Sequence, residues 1–234
     1  LSFSTGATQT AYYRRFVTET ISNNTAYSTV ASVILNPPNP ILAVGGGSVI
    51  PASQFINHAT NAASLSSTGV TGGTYAYTFQ WQSSLNNSTW TNVPCNATSY
   101  TPTGLTVTTY YRVAVTSNST TAYSSSAVIN VYPKLIAGAI APSQTIILSG
   151  SNPGAITATA PTGGTGTYTY QWQSSADGIT FANVPAAIAL FYSPGTLTAN
   201  TWYRLVQSSN GISVNSSTCQ VIISAAVPDY SFIR

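Results

Sequence analysis

Tyr77, Phe79 and Trp81 alternate with Thr78, Gln80 and Gln82, the two-residue period of a strand buried on one face. Tyr168, Tyr170 and Trp172 alternate with Thr169, Gln171 and Gln173 in the same way, and Tyr111, Val113 and Val115 alternate with Tyr110, Arg112 and Ala114. Between these runs stand turn signals: Thr71-Gly72-Gly73, Thr162-Gly163-Gly164, Asn86-Asn87 and Asp177-Gly178. The last of these, between Trp172-Gln173 and Phe181, predicts a hairpin. No segment sustains a 3.6-residue period, so the expected fold class is all-β.

The pattern is also duplicated. Tyr168-Thr169-Tyr170-Gln171-Trp172-Gln173-Ser174-Ser175 rewrites Tyr77-Thr78-Phe79-Gln80-Trp81-Gln82-Ser83-Ser84, and Thr201-Trp202-Tyr203-Arg204 rewrites Thr109-Tyr110-Tyr111-Arg112. The spacing is 91 residues between Trp81 and Trp172 and 92 between Arg112 and Arg204. Solenoid repeats run about 20–50 residues; an immunoglobulin-type sandwich needs roughly 100. A buried Trp in mid-domain and a Tyr near the start of the penultimate strand fit that sandwich. Trp81 and Trp172 take the first role, Tyr111 and Tyr203 the second, with Phe79 and Tyr170 beside them in the core. The expectation is a rod-like array of tandem immunoglobulin-like β-sandwiches: residues 1–38 the back part of a preceding repeat, 39–133 and 134–225 two full repeats, and 226–234 a tail or the start of a next segment. Two or three strands cannot close a sandwich, so 1–38 is expected either to continue from preceding residues or to lean on a neighbouring bead or chain. Prolines at Asn36-Pro37-Pro38-Asn39-Pro40 and Val131-Tyr132-Pro133-Lys134 predict short, stiff joints.

Composition narrows the function. Only nine of 234 residues are charged, against about a quarter in an ordinary domain. Hydrophobic residues at 43% and aromatic ones at 11% supply cores and exclude a disordered polar tract. The net charge of +3 is spread over six cations with no stripe for phosphates, which excludes nucleic acid. No apolar run is long enough to span a membrane. The single histidine, His58, has no acid near it in sequence and reads as a surface or loop residue rather than a triad member. Three carboxylates, Glu19, Asp177 and Asp229, are too few and too scattered for a glycosidase pair or for calcium, and no zinc set exists. Gly45-Gly46-Gly47 lacks a following Lys or helix start and reads as a loop. The single lysine, Lys134, lies at a joint, not in a core where an isopeptide staple would need it. No catalytic residue, metal or cofactor is expected. Cys95 in a loop and Cys219 in a last strand are expected as separate free thiols, a disulfide between them having to cross domains.

Half of the cations occupy one repeated slot: Arg14, Arg112 and Arg204, each directly after a Tyr. Alternation turns them away from the core, across Gln80/Gln82 or Gln171/Gln173, where they are expected to brace neighbouring strands. The competing reading is a ligand-binding arginine repeated along a rod. Two functions stay open on the residues alone. The array is a non-catalytic spacer, or its repeats bind glycans or proteins through exposed tyrosines such as Tyr100, Tyr123 and Tyr192.

Gln144-Thr145-Ile146, the stretch from Thr157 through Pro161-Thr162-Gly163-Gly164-Thr165-Gly166 to Tyr168-Thr169-Tyr170-Gln171-Trp172-Gln173-Ser174-Ser175, and Leu197-Thr198-Ala199-Asn200-Thr201-Trp202-Tyr203-Arg204 resemble the immunoglobulin-like repeats of giant Bacteroidota cell-surface proteins. These include the gliding-motility adhesins exported by the type IX secretion system. The resemblance covers residues 1–225. It implies an extracellular, bacterial surface-anchored filament whose repeats extend a distal adhesive or effector region; the partners expected are neighbouring repeats of the same polypeptide and surface glycans or proteins. It also implies one Cys after the Gln-Thr-Ile segment and another after the Tyr-Arg strand. Those slots hold Ile147 and Ile212 in the third copy and Asn57 and Thr120 in the second, so the Ile pair is expected to replace a disulfide with apolar contact. The tail Pro228-Asp229-Tyr230-Ser231-Phe232-Ile233-Arg234 resembles the lead-in to Rhs/YD-repeat regions.

Overall fold

The computed structural model describes residues 11–18, 25–33 and 42–224, all of them strand, turn or loop. The proline joint at 36–40 and the tail at 226–234 lie outside the described residues. The chain divides into two compact units, Leu1–Leu42 and Ala43–Arg234.

In the first unit, Ala11–Tyr13 pairs antiparallel with Ala31–Val33, and Phe16–Thr18 with Thr25–Tyr27. Between the two ladders the Arg15 backbone N–H donates to Ser28 Oγ at 2.8 Å, and the Ser28 N–H donates back to the Arg15 carbonyl at 2.9 Å. Phe16, Tyr27 and Val30 are each more than half exposed. Residues 14–17 and 25–31 are exposed.

The second unit holds two sandwiches of the same topology. In the first, Ser99–Tyr100, Leu65–Thr68 and Ser48–Ile50 form a three-stranded sheet. It faces a sheet ordered Ser53–Ile56, Ala127–Val131, Thr109–Ser117, Thr78–Ser84, Thr91–Asn92, with Thr120–Tyr123 also pairing on Thr109–Ser117. Ser53–Ile56 runs parallel to the last strand, so the opening segment crosses from one sheet to the other at Pro51 and Ala52. The second sandwich repeats this order, with Ile140–Ala141, Ile156–Ala158 and Phe191–Tyr192 facing a sheet built on Thr169–Ser175 and Thr201–Ser209. This is a tandem array of immunoglobulin-like β-sandwiches. The Asp177-Gly178 turn closes an antiparallel pair between Thr169–Ser175 and Ala182–Asn183.

Alternation dictates the cores. On Thr109–Ser117, Tyr111, Val113 and Val115 are 3%, 0% and 0% exposed, and on Thr201–Ser209, Tyr203 and Leu205 are 3% and 0%. Each meets the Trp strand across a seven-residue ladder, Val113 opposite Trp81 and Leu205 opposite Trp172. Both indoles are fully buried, while Phe79 and Tyr170 are partly buried and pack against the rims of their clusters.

Truncating either indole removes the largest buried side chain of its sandwich. Trp81→Ala and Trp172→Ala are each expected to destabilise their own sandwich by about 3–5 kcal/mol in denaturant unfolding. An unmoved midpoint in either variant would contradict this account of the core.

Candidate functional site

Three arrangements carry the polar and aromatic chemistry of the sandwiches. The first is an aromatic stack under each core. Trp81 packs on Tyr100 (5.8 Å between ring centroids) and Tyr100 on Tyr111 (5.6 Å); Trp172, Tyr192 and Tyr203 repeat this at 5.9 and 5.6 Å. Each indole N–H finds a partner, donating to the Ala97 or Ala189 carbonyl at 2.9 Å. Burial pushes the phenols of Tyr111 and Tyr203 up to about 12, with the neighbouring Tyr100 and Tyr192 adding to the rise. The expectation that Tyr100 and Tyr192 offer exposed binding surface is thereby corrected: both lie between a Trp and a Tyr inside the stack. Tyr123 alone of the three is exposed.

The second arrangement is the arginine slot on the outer face of the larger sheet. Arg112 donates Nε–H to Gln82 Oε1 at 2.8 Å, and Gln82 passes the contact on through its Nε2 to Asn92 Oδ1. The guanidinium carbon lies 4.3 Å from the Trp90 ring centroid and 4.0 Å from that of Tyr123. Arg204 repeats the chain through Gln173 and Asn183, with Phe181 at 4.1 Å. In the first unit Arg14 sits 4.0 Å over Tyr27. Rings and an amide occupy the guanidinium where a carboxylate usually would, a geometry that clamps strands together. Asp177, the one carboxylate among the described residues, is spent elsewhere. Its Oδ1 accepts from the Ile179 and Thr180 backbone N–H groups and the Ser175 hydroxyl, all at 2.8 Å. Those bonds hold its carboxyl down to about 2. Asn86 Oδ1 accepts the same three bonds in the preceding sandwich, so the charge is dispensable to the role. Among the described residues no group of three His, Cys, Asp or Glu side chains could hold a metal.

The third arrangement is the joint between the two sandwiches. Asn57 Nδ2 donates to the Asn210 carbonyl at 3.0 Å and Asn210 Nδ2 to Asn57 Oδ1 at 3.2 Å. Asn210 has a φ of 47° and Gly211 of 78°, the left-handed pair of a tight hairpin turn, and that turn points the Asn210 amide at its partner. Ile136 and Thr162 exchange two backbone bonds of 2.9 Å, and the Gly164 N–H donates to the Pro133 carbonyl at 2.9 Å. A Cβ on Gly163 would lie 2.0 Å from the Lys134 carbonyl oxygen. Only glycine lets the linker pass this close. His58 lies in a turn beside this joint, half-buried.

Residues 46–133 and 136–225 each match the family model described as "Domain of unknown function (DUF8696)". The chain belongs to the DUF8696 family. No curated protein matches it. Among solved structures it is similar to the crystal structure of chicken CNTN1 FN1–FN3 domains (TM-score 0.34, 15% identity, 92% of this chain and 78% of that one). It is also similar to a crystal structure of domains from titin (TM-score 0.44, 12% identity, 90% and 72%).

The two DUF8696 repeats correspond position by position. Tyr111 opposes Ala127 and Tyr203 opposes Cys219; Val131 then opposes Ile56, and Ile223 opposes Ile147. Ile147 is thus the counterpart of Ile56, not of Asn57. The expected pairing of cysteine slots was displaced by one residue, a slip that reverses which face a side chain takes. Ile147 packs against the core while Ile212 is 39% exposed in its hairpin, so they form no apolar substitute for a disulfide. Cys95 and Cys219 are free thiols, and burial pushes the latter's pKa up. Exposed aromatic positions are not shared between the two DUF8696 repeats: Phe55, Tyr75, Tyr123 and Phe191 correspond to Ile146, Gly166, Asn215 and Ser99.

Two elements escaped the sequence reading. Ser124 and Ser216 each accept, at 2.9 Å, the backbone N–H of Val113 or Leu205 and donate their own N–H to the same residue's carbonyl, as Ser28 does with Arg15. The recurring Ala-Tyr-Ser of the first two copies carried that signal. Gln207 is fully buried where the preceding repeat has Val115. It accepts from the Gly138 N–H at 2.7 Å and donates to the Thr159 carbonyl at 2.8 Å. Alternation alone gives no sign of it.

If the guanidinium clamps strands, a double-mutant cycle on Arg112→Gln and Trp90→Ala should return a coupling of about 0.5–1 kcal/mol; additive single effects would refute the clamp. The tyrosines set an alkaline limit. Their folded pKa of about 12 exceeds the unfolded 10, so the unfolded chain loses its protons first. Stability is therefore complete below pH 10 and declines as pH rises toward 12. Tyr111→Phe/Tyr203→Phe should flatten that decline in thermal melts taken across this window, and an unchanged slope would exclude these two phenols as its cause.

Proposed function

We propose that this chain is a non-catalytic spacer, a stalk segment of a secreted bacterial cell-surface protein of the gliding-motility adhesin kind, exported by the type IX system. Its work is mechanical: stiff repeats hold a distal adhesive or effector region, such as an Rhs/YD-repeat module, away from the cell. The observation that carries this reading is the interchange of Asp177 and Asn86 in one turn-capping role, which leaves the described residues without a carboxylate free for chemistry. The hydrogen-bonded joint between the repeats supports stiffness, and the lack of a shared exposed aromatic patch favours a spacer over direct binding by the repeats.

Single-molecule stretching tests the mechanical part. Two unfolding steps of about 300 Å contour gain are expected, one for each sandwich of roughly 90 residues at about 3.3–3.6 Å per residue. A chain that extends smoothly without steps would overturn the reading. Antibody labelling of intact producing cells tests location, and signal found only after lysis would remove the surface assignment.

A further inference from the structure

Beside the Asn57–Asn210 contact the two repeats enclose a crevice of about 260 Å³. The protein has one histidine and one lysine in 234 residues, and both line this space. His58 comes from the turn that ends the opening segment of one repeat, Lys134 from the linker. Leu135, Ile212 and Val214 form an apolar wall, and among the described residues no carboxylate lines the crevice.

This His–Lys pair is not part of the repeated scaffold. Ile147 corresponds to Ile56, so the counterpart of His58 is Ser149. The bridges Ile136 to Thr162 and Gly45 to Thr71 are equivalent, which makes Ala43 the counterpart of Lys134. The surroundings are fixed in advance by the Asn57–Asn210 bonds and by the linker's backbone bonds at Ile136 and Gly164. A mostly apolar hollow between domains, with a few polar groups converging on it, is the usual form of a small-ligand site.

We propose that this crevice binds a carboxylate-bearing ligand with a small C–H-rich body, of the uronic-acid class. The Lys134 ammonium and the His58 imidazole take the carboxylate as charge-assisted donors, and the ring's C–H face lies on Leu135, Ile212 and Val214. A ligand seated here touches both repeats and the linker, so it tightens the joint as it binds. This goes beyond the spacer reading: a spacer needs no ligand, and the stretching steps above do not depend on one.

The test is a titration of the isotopically labelled full chain with sodium glucuronate, read by amide chemical shifts, with glucose and acetate at matched ionic strength as controls. Saturable shifts are expected at Lys134, Leu135, Gly164 and Ile212 with glucuronate alone. Lys134→Gln and His58→Gln should each weaken binding by about tenfold or more, Lys134→Arg should retain most of it, and Arg15→Gln should leave it unchanged. Unperturbed spectra of the unliganded variants establish that they fold. Absence of saturable shifts, full binding by Lys134→Gln, or equal shifts with acetate that salt abolishes (an adventitious ion only) would each overturn the proposal.

Discussion

A buried indole whose N–H must be satisfied organises each sandwich. Trp81 and Trp172 contribute the largest fully buried side chains, and an indole N–H left unpaired in such a core would cost about 1–3 kcal/mol. Donation to the Ala97 and Ala189 carbonyls removes that cost and ties the irregular loop after the Trp hairpin to the sheet. The same loop then leads into a two-residue strand, Ser99–Tyr100 or Phe191–Tyr192, whose Tyr slides between the indole and the tyrosine of Thr109–Ser117 or Thr201–Ser209. The indole bond thus joins the backbone bonds of Trp81 to Cys95 and Ser67 to Thr98, and of Trp172 to Ala187 and Ala158 to Leu190, in fixing the path of a segment too short to hold itself by pairing alone.

The scarcity of charge shapes everything outside the core. With no ion pair among the described residues, amides and hydroxyls hold the described strands and loops. Gln80 and Gln171 each donate to two carbonyls, those of Trp81 and Val93 or of Trp172 and Val184. Ser117 and Ser209 accept from the Thr74 and Thr165 N–H groups across the pole of each sandwich. Such bonds contribute about 0.5–1.5 kcal/mol each and, being uncharged, respond little to salt. Arg112 and Arg204 conform to the same economy: their charge is met by ring faces and a glutamine carbonyl.

The parts of this fold visible in the sequence are those that long strands carry. Seven- and nine-residue strands show their period plainly, which is why Trp81, Trp172, Tyr111, Tyr203 and the outward-facing arginines could be placed. Tyr100 and Tyr192 could not, because two residues among turn formers have no period from which to infer a side. The parallel opening strand was legible as a strand but not in register; without a connecting hairpin to set it, Asn57 was aligned one position away from its true counterpart. Gln207 is a polar residue in a core, and its two partners come from segments 48 and 69 residues distant. Long-range satisfaction of that kind leaves no local mark.

The duplication supplies an internal control. Whatever the sandwich itself requires appears twice at equivalent positions: the indole and its carbonyl, the Tyr pair, the Arg–Gln–Asn chain, the serine that latches the nine-residue strand, the capped turn. Such features need no explanation beyond folding. A residue that appears once, at a position whose counterpart is small or neutral, is not demanded by the scaffold. Gln207 in place of Val115 is answered by the two backbone groups it bonds within its own sandwich. Asn57, in place of Leu148, is answered by Asn210 across the joint. His58 and Lys134, in place of Ser149 and Ala43, have no such answer in a hydrogen bond or ring contact, and both line one hollow. In a protein that otherwise does without them, a lone imidazole and a lone ammonium brought to the same crevice locate the chemistry that distinguishes this joint from a plain connection.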